Sequence, residues 1–103
     1  MLVNAERIIG RFEQQPYEVK RYRVDFRSSL ATGETISSPT FIVSPITVPP
    51  VQVLNVAIAP EGDQLVMFLS GGVTANTYRI TMRTNTSDNQ KLEDEIELRV
   101  TEF

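Results

Sequence analysis

The 103-residue sequence contains no cysteine, no histidine and no tryptophan. Without cysteine there is no disulfide framework and no thiolate metal site, so stability has to come from packing or from neighbouring subunits. With histidine missing too, Ser/His/Asp and Cys/His arrangements and the usual zinc spheres are excluded, and any acid/base work would fall to carboxylates. Long apolar runs are also lacking, and none comes near the ~20 residues of a membrane-spanning helix. The Met1 end carries Glu6 and Arg7 before Ile8-Ile9, without the apolar core or small-residue cleavage site of a secretory signal, so no export signal is expected there. Positive charge is in deficit, with 10 Lys and Arg against 13 Asp and Glu and a net charge of −3. That balance argues against a nucleic-acid surface, because phosphate binding needs clustered cations. No cofactor, no nucleic acid and no membrane are therefore expected as partners.

What is present is period-2 alternation. The 41% hydrophobic content is ordinary for one domain with a core of its own. In Val19 to Arg27, Tyr22, Val24 and Phe26 share one parity while Arg21, Arg23, Asp25 and Arg27 take the other, the mark of a half-buried strand. Ala31-Thr32-Gly33-Glu34 turns the chain into a second strand, Thr35 to Ser44, in which Phe41 and Val43 share a face. Pro39 cannot donate to a ladder and marks an edge or a bulge. Pro45, Pro49 and Pro50 mark a loop, after which Val53 to Ala59 reads as a strand with Leu54, Val56 and Ile58 inward. Pro60-Glu61-Gly62-Asp63 makes a tight turn, so this strand and Gln64 to Leu69 should form an antiparallel hairpin.

Leu65, Met67 and Leu69 in one strand, and Tyr78, Ile80 and Met82 in the next, are core candidates. The segment from Ser70 to Asn76 is too long for a two-residue hairpin, and Gly71-Gly72 permits positive φ or close backbone approach. A crossing between two sheets is predicted there. Tyr78 then stands where an immunoglobulin-type sandwich often has a tyrosine corner, ring in the core and hydroxyl on the corner backbone; the alternative is an ordinary core tyrosine. A polar turn, Asn85 to Gln90, leads to a last strand in which Asp94, Ile96, Leu98 and Val100 alternate with Glu93, Glu95, Glu97 and Arg99. Six strands with turn signals at short intervals and little helical periodicity predict an all-β, antiparallel β-sandwich over residues 16–103.

Residues 1–15 show no clean alternation and read as an N-terminal arm, whose Ile8, Ile9 and Phe12 are candidate partner-binding residues. Arg21, Arg23 and Arg27 form the one basic cluster, either a solvated strand face or a holder of an acidic partner surface. The crowded carboxylates Glu93, Asp94, Glu95 and Glu97 split between strand faces, which suits a solvated edge better than the paired carboxyls of a glycosidase. Glu61, Asp63, Asp88 and Asn89 lack the spacing of a calcium loop and fit turn chemistry.

Taken in order, Pro16-Tyr17-Glu18-Val19, Tyr22-Arg23-Val24-Asp25-Phe26, Leu30, Gly33-Glu34-Thr35-Ile36-Ser37-Ser38, Phe41-Ile42-Val43, Leu69-Ser70-Gly71-Gly72, Thr77-Tyr78 and Glu95 to Val100 resemble the phage fiber-tail adaptor family. The resemblance spans residues 16 to 100 and leaves the arm outside. It implies a small immunoglobulin-like virion protein of the tail. The positions of Phe26 and Phe41 are commonly tryptophan in that family, and phenylalanine keeps them apolar. With Tyr78, Gly71 and Gly72 they are the candidate fold-determining residues. The function implied is a non-enzymatic, tail-associated adaptor linking tail fibers to the tail body. Its partners would be other virion proteins (tail body or portal-proximal adaptor, and fiber), met in multiple copies within a symmetric assembly. The chain would be made in the host cytoplasm. A capsid or neck decoration protein is the alternative within that class, and a host-glycan-binding module the alternative outside it.

Overall fold

The structure, a computed structural model, describes residues 8–102 and consists of seven strands in two sheets. In chain order these are β1 (Ile8–Gln14), β2 (Val19–Asp25), β3 (Ile36–Ser44), β4 (Val51–Ile58), β5 (Gln64–Gly71), β6 (Asn76–Thr86) and β7 (Lys91–Val100), with a single 3-10 turn at Arg27–Ser29. One sheet has the order β1-β7-β6-β3 and the other β2-β5-β4. Strands of alternating polarity can bury only one face each, so the two apolar faces close on one another. Leu65, Met67 and Leu69 from β5 meet Tyr78, Ile80 and Met82 from β6 and Ile96, Leu98 and Val100 from β7, with Val24, Phe26, Ile36 and Val51 completing the core.

The crossing after β5 carries the chain from the three-stranded to the four-stranded sheet, and β4 and β5 form the antiparallel hairpin closed by Gly62. Omitting β1, the two groups β2-β5-β4 and β7-β6-β3 partition the strands as the B-E-D and G-F-C groups of the immunoglobulin fold are partitioned. In β3 the register shifts between Ser37 and Thr40, so Pro39 occupies an irregularity of an edge strand, where its missing N–H costs no ladder bond.

Two sequence expectations are corrected here. Leu54, Val56 and Ile58 do not point inward together: they are 37%, 40% and 36% exposed. The register of β4 against β5 shifts between Leu54 and Ala57, and Asn55 has φ of 51°, so a bulge breaks the parity of this edge strand. Val51 and Val53 supply the inward side chains instead. The sandwich is also not wholly antiparallel. Residues 8–14, read as part of an arm, pair in parallel with β7 as the outer strand of the four-stranded sheet. Residues 1–7 lie outside the described residues.

Candidate assembly interface

The turn 15–18, the loop 45–50, the crossing 72–75 and the chain beyond Val100 all lie at one end of the sandwich. This follows from the register: Gln14 and Asn76 pair with Val100, Ser44 with Arg79, Val19 with Ser70 and Val51 with Gly71. Tyr78 is the hub of this end. Its ring is fully buried, and its hydroxyl accepts the Val73 N–H at 2.8 Å. Thr47 Oγ1 donates to the Pro49 carbonyl at 2.8 Å, so the Tyr78 hydroxyl proton goes to Thr47 Oγ1, also at 2.8 Å. One phenol thus ties two sheet-to-sheet connections, 45–50 and 72–75, to the core, the arrangement of a tyrosine corner with an added partner.

Gly71 and Gly72 make the close approach possible. Both have positive φ, 80° and 94°. A Cβ on Gly71 would stand 2.5 Å from the Pro50 carbonyl oxygen, and one on Gly72 would stand 2.8 Å from Val51 and 2.9 Å from Val100. The Gly72 N–H donates to the Pro50 carbonyl at 3.0 Å, fastening the crossing to the base of the proline loop. Because Thr47 turns inward, its neighbours turn outward: Ile46 is 90% and Val48 94% exposed, and Tyr17 in the 15–18 turn is 96% exposed. Large apolar side chains held in water at this end are candidates for contact with a partner.

The β1 side of the molecule is built differently. Gln14 is fully buried, its amide donating to the carbonyls of Leu69 and Glu18 at 2.8 Å each while its oxygen accepts the Tyr22 hydroxyl at 2.8 Å. Every polar group of that side chain is paired, so β1 is riveted across to the three-stranded sheet. Burial, and then the Glu18 charge, raise the Tyr22 hydroxyl above its ordinary pKa, which keeps it a donor. The Phe12 ring packs edge-on against Tyr22, centroids 5.1 Å apart, and remains 41% exposed. Ile8 pairs with Glu95 and the register shifts before Gly10, so Ile8, Ile9 and Phe12 lie along one strand. Phe26 and Phe41 sit elsewhere: Phe26 is buried at the opposite end, its N–H on the Asp63 carbonyl, and Phe41 packs against the core from β3.

That opposite end is held by a carboxylate. Glu34 is 5% exposed and accepts from the Ala31 N–H, the Thr86 hydroxyl and the Gln90 amide. These bonds, the Thr86 hydroxyl foremost, hold its carboxyl below the usual glutamate range, against the opposing pull of burial. Glu34 joins its own turn, 31–34, to the turn between Thr86 and Gln90, and both of its oxygens are engaged there. Gln14, Thr47 and Glu34 were not among the sequence candidates. Gln14 stands two residues before Pro16 in the polar run Gln14-Gln15, which gives no sign of burial, and only the apolar-polar-apolar run Ile46-Thr47-Val48 hints at an inward threonine. Among the described residues no group of three or more acidic side chains is placed to hold a metal.

An immunoglobulin-like sandwich with cross-braced loops at both ends is a scaffold that holds its surfaces in fixed positions. The family comparison agrees: residues 14–99 match the model described as Podophage GP4 fiber-tail adaptor protein gp77, and the chain belongs to that family. It is a tail-associated structural adaptor of the virion, and an adaptor of this kind binds other virion proteins. No curated protein matches the chain.

Proposed function

We propose that this chain works as a rigid, non-catalytic bridge between the tail body and the tail fibers, present in several copies in a symmetric assembly and made in the host cytoplasm before incorporation. The observation that supports this most is the coincidence of the family match, residues 14–99, with a sandwich whose loops are tied to its core through Tyr78 and Glu34. A bridge has to transmit position, and loops fixed by buried hydrogen bonds do so where free loops would not. The loop end carrying Tyr17, Ile46 and Val48 supplies one attachment surface, since each large apolar side chain buried on docking contributes roughly 1.5–3 kcal/mol. Strand β1, with Ile8, Ile9 and Phe12, supplies a second: its outer edge has no strand beside it among the described residues and is open to pairing.

The test is a phage lacking this gene product. Particles made without it should retain tail bodies and lose their fibers, and the full-length chain supplied in trans should restore them. Fibers attached in its absence would overturn the proposal.

A further inference from the structure

The outer faces of the two sheets treat their arginines differently, although Arg99 on the four-stranded sheet donates to a hydroxyl, Thr77 Oγ1 at 3.4 Å. On the four-stranded sheet, Arg11 lies 2.6 Å from Glu97, Arg83 2.6 Å from Glu93 and Arg79 3.4 Å from Glu95, so these cations are neutralised across neighbouring strands. On the three-stranded sheet the register sets out rows that run across all the strands: Val19, Ser70, Gln52; then Arg21, Phe68, Leu54; then Arg23, Val66, Ala57. No carboxylate occurs in these rows. Among the described residues Arg21 has no ion-pair partner, and Arg23 donates to the Gln64 amide oxygen at 2.7 Å instead of to a carboxylate. The neighbouring acid, Asp25, is already engaged bidentately by Arg27.

The result is a two-part face. Arg21 and Arg23 are exposed on β2, two residues apart and therefore roughly 7 Å from each other along the strand. Beside them lie the half-buried Phe68 and Val66 and the exposed Leu54. A solvated strand face normally carries polar residues of both signs, and this chain has more acidic than basic residues to place there. An apolar centre flanked by uncompensated guanidinium groups is instead the complement of a protein surface with carboxylates beside an apolar patch.

We infer that the outer face of β2-β5-β4 is a docking surface for an acidic protein partner in the tail, two of whose carboxylates pair with Arg21 and Arg23 while an apolar side chain covers Phe68 and Leu54. This rests on the adaptor reading and specifies one of its contacts. Guanidinium forks suit carboxylates in bidentate geometry, which fixes orientation as well as strength. Nucleic acid is a poorer occupant, since two cations on a chain of net charge −3 cannot follow a phosphate backbone.

The experiment supplies variants in trans to a phage lacking its own copy and measures the chain in purified particles, with the melting temperature of each isolated full-length variant as a control. Arg21→Glu/Arg23→Glu should melt within about a degree or two of the parent, because exposed substitutions change stability little. Its incorporation should fall about tenfold or more, since reversed charges at a contact cost several kcal/mol. Arg21→Gln/Arg23→Gln, which adds no repulsion within the chain, should be reduced in the same direction. A photo-cross-linking residue at Gln52 should capture an acid-rich segment of a virion protein. Undiminished incorporation of both double variants, or cross-links to nucleic acid, would overturn the inference and leave the adaptor reading standing. Absence of the parent chain from particles would overturn both.

Discussion

Removal of one oxygen, Tyr78→Phe, probes how the loop end is held. The ring stays in the core, so the apolar packing is nearly unchanged and only the hydroxyl network is lost. The Val73 N–H loses its acceptor and Thr47 Oγ1 loses a donor, at 2.8 Å in each case. A partly buried donor left without a partner costs about 1–3 kcal/mol, and a hydroxyl that can rotate or meet water costs less, so the expected loss is about 2 kcal/mol. For a domain near this size that corresponds to a fall of about 8–16 °C in melting temperature. Urea denaturation should show a lower midpoint with an unchanged slope, because the surface exposed on unfolding is the same. Tyr78→Ala, which also empties the ring site, should cost about 3–5 kcal/mol, whereas Tyr17→Ala, at 96% exposure, should be close to neutral. A loss below about 0.5 kcal/mol for Tyr78→Phe would show that the hydroxyl does not brace the loops, because even a typical single hydrogen bond contributes that much.

Other outcomes follow from the same bonds. A chain beginning at Gln15 loses β1 and the three hydrogen bonds of the Gln14 side chain, and calorimetry should register destabilisation of about 3 kcal/mol; an unchanged melting temperature would mean that β1 is not part of the fold. Glu34 has a folded pKa below its unfolded one, so its stabilisation is present above the ordinary glutamate range and is lost as pH falls through the lowered folded value. Stability measured against pH should therefore separate parent from Glu34→Gln near neutrality and bring them together in acid; a constant gap would contradict the assignment. Gly72→Ala combines positive φ with clashes on Val51 and Val100, whereas Gly33→Ala meets nothing within 4 Å at a similar φ. Denaturation midpoints should rank Gly72→Ala well beyond the roughly 1–2 kcal/mol of a purely conformational penalty at Gly33.

The strands that the sequence displayed best are those whose two faces meet different surroundings. In β5, β6 and β7 one parity meets the core and the other meets solvent or the paired charges, so Leu65 to Leu69, Tyr78 to Met82 and Ile96 to Val100 stand out as alternation. Turns were legible because Gly33, Gly62 and Asn89 supply the positive φ that they require. Strand β1 was hidden. Its partner β7 lies more than eighty residues away, and the alternation is obscured by the register shift near Ile8 and by Gly10, over which the Phe12 ring folds. In β4 the apolar residues are spaced two apart, but Asn55 inserts a bulge between them, and no local pattern announces that parity has changed. The basic face illustrates a further limit. Arg21 and Arg23 are plain in the sequence, but that their cross-strand neighbours are Phe68 and Val66 and not glutamates is a matter of register, fixed only when β2 meets β5.

The central claim, that this chain is the link between tail body and fibers, is tested most directly by a cryo-electron microscopy reconstruction of the intact virion carrying a small tag on the chain. Symmetric copies of the sandwich are expected at the base of the fibers, each touching the tail body through one surface and a fiber through another. Density for the tag on the capsid or neck, away from any fiber, would contradict it.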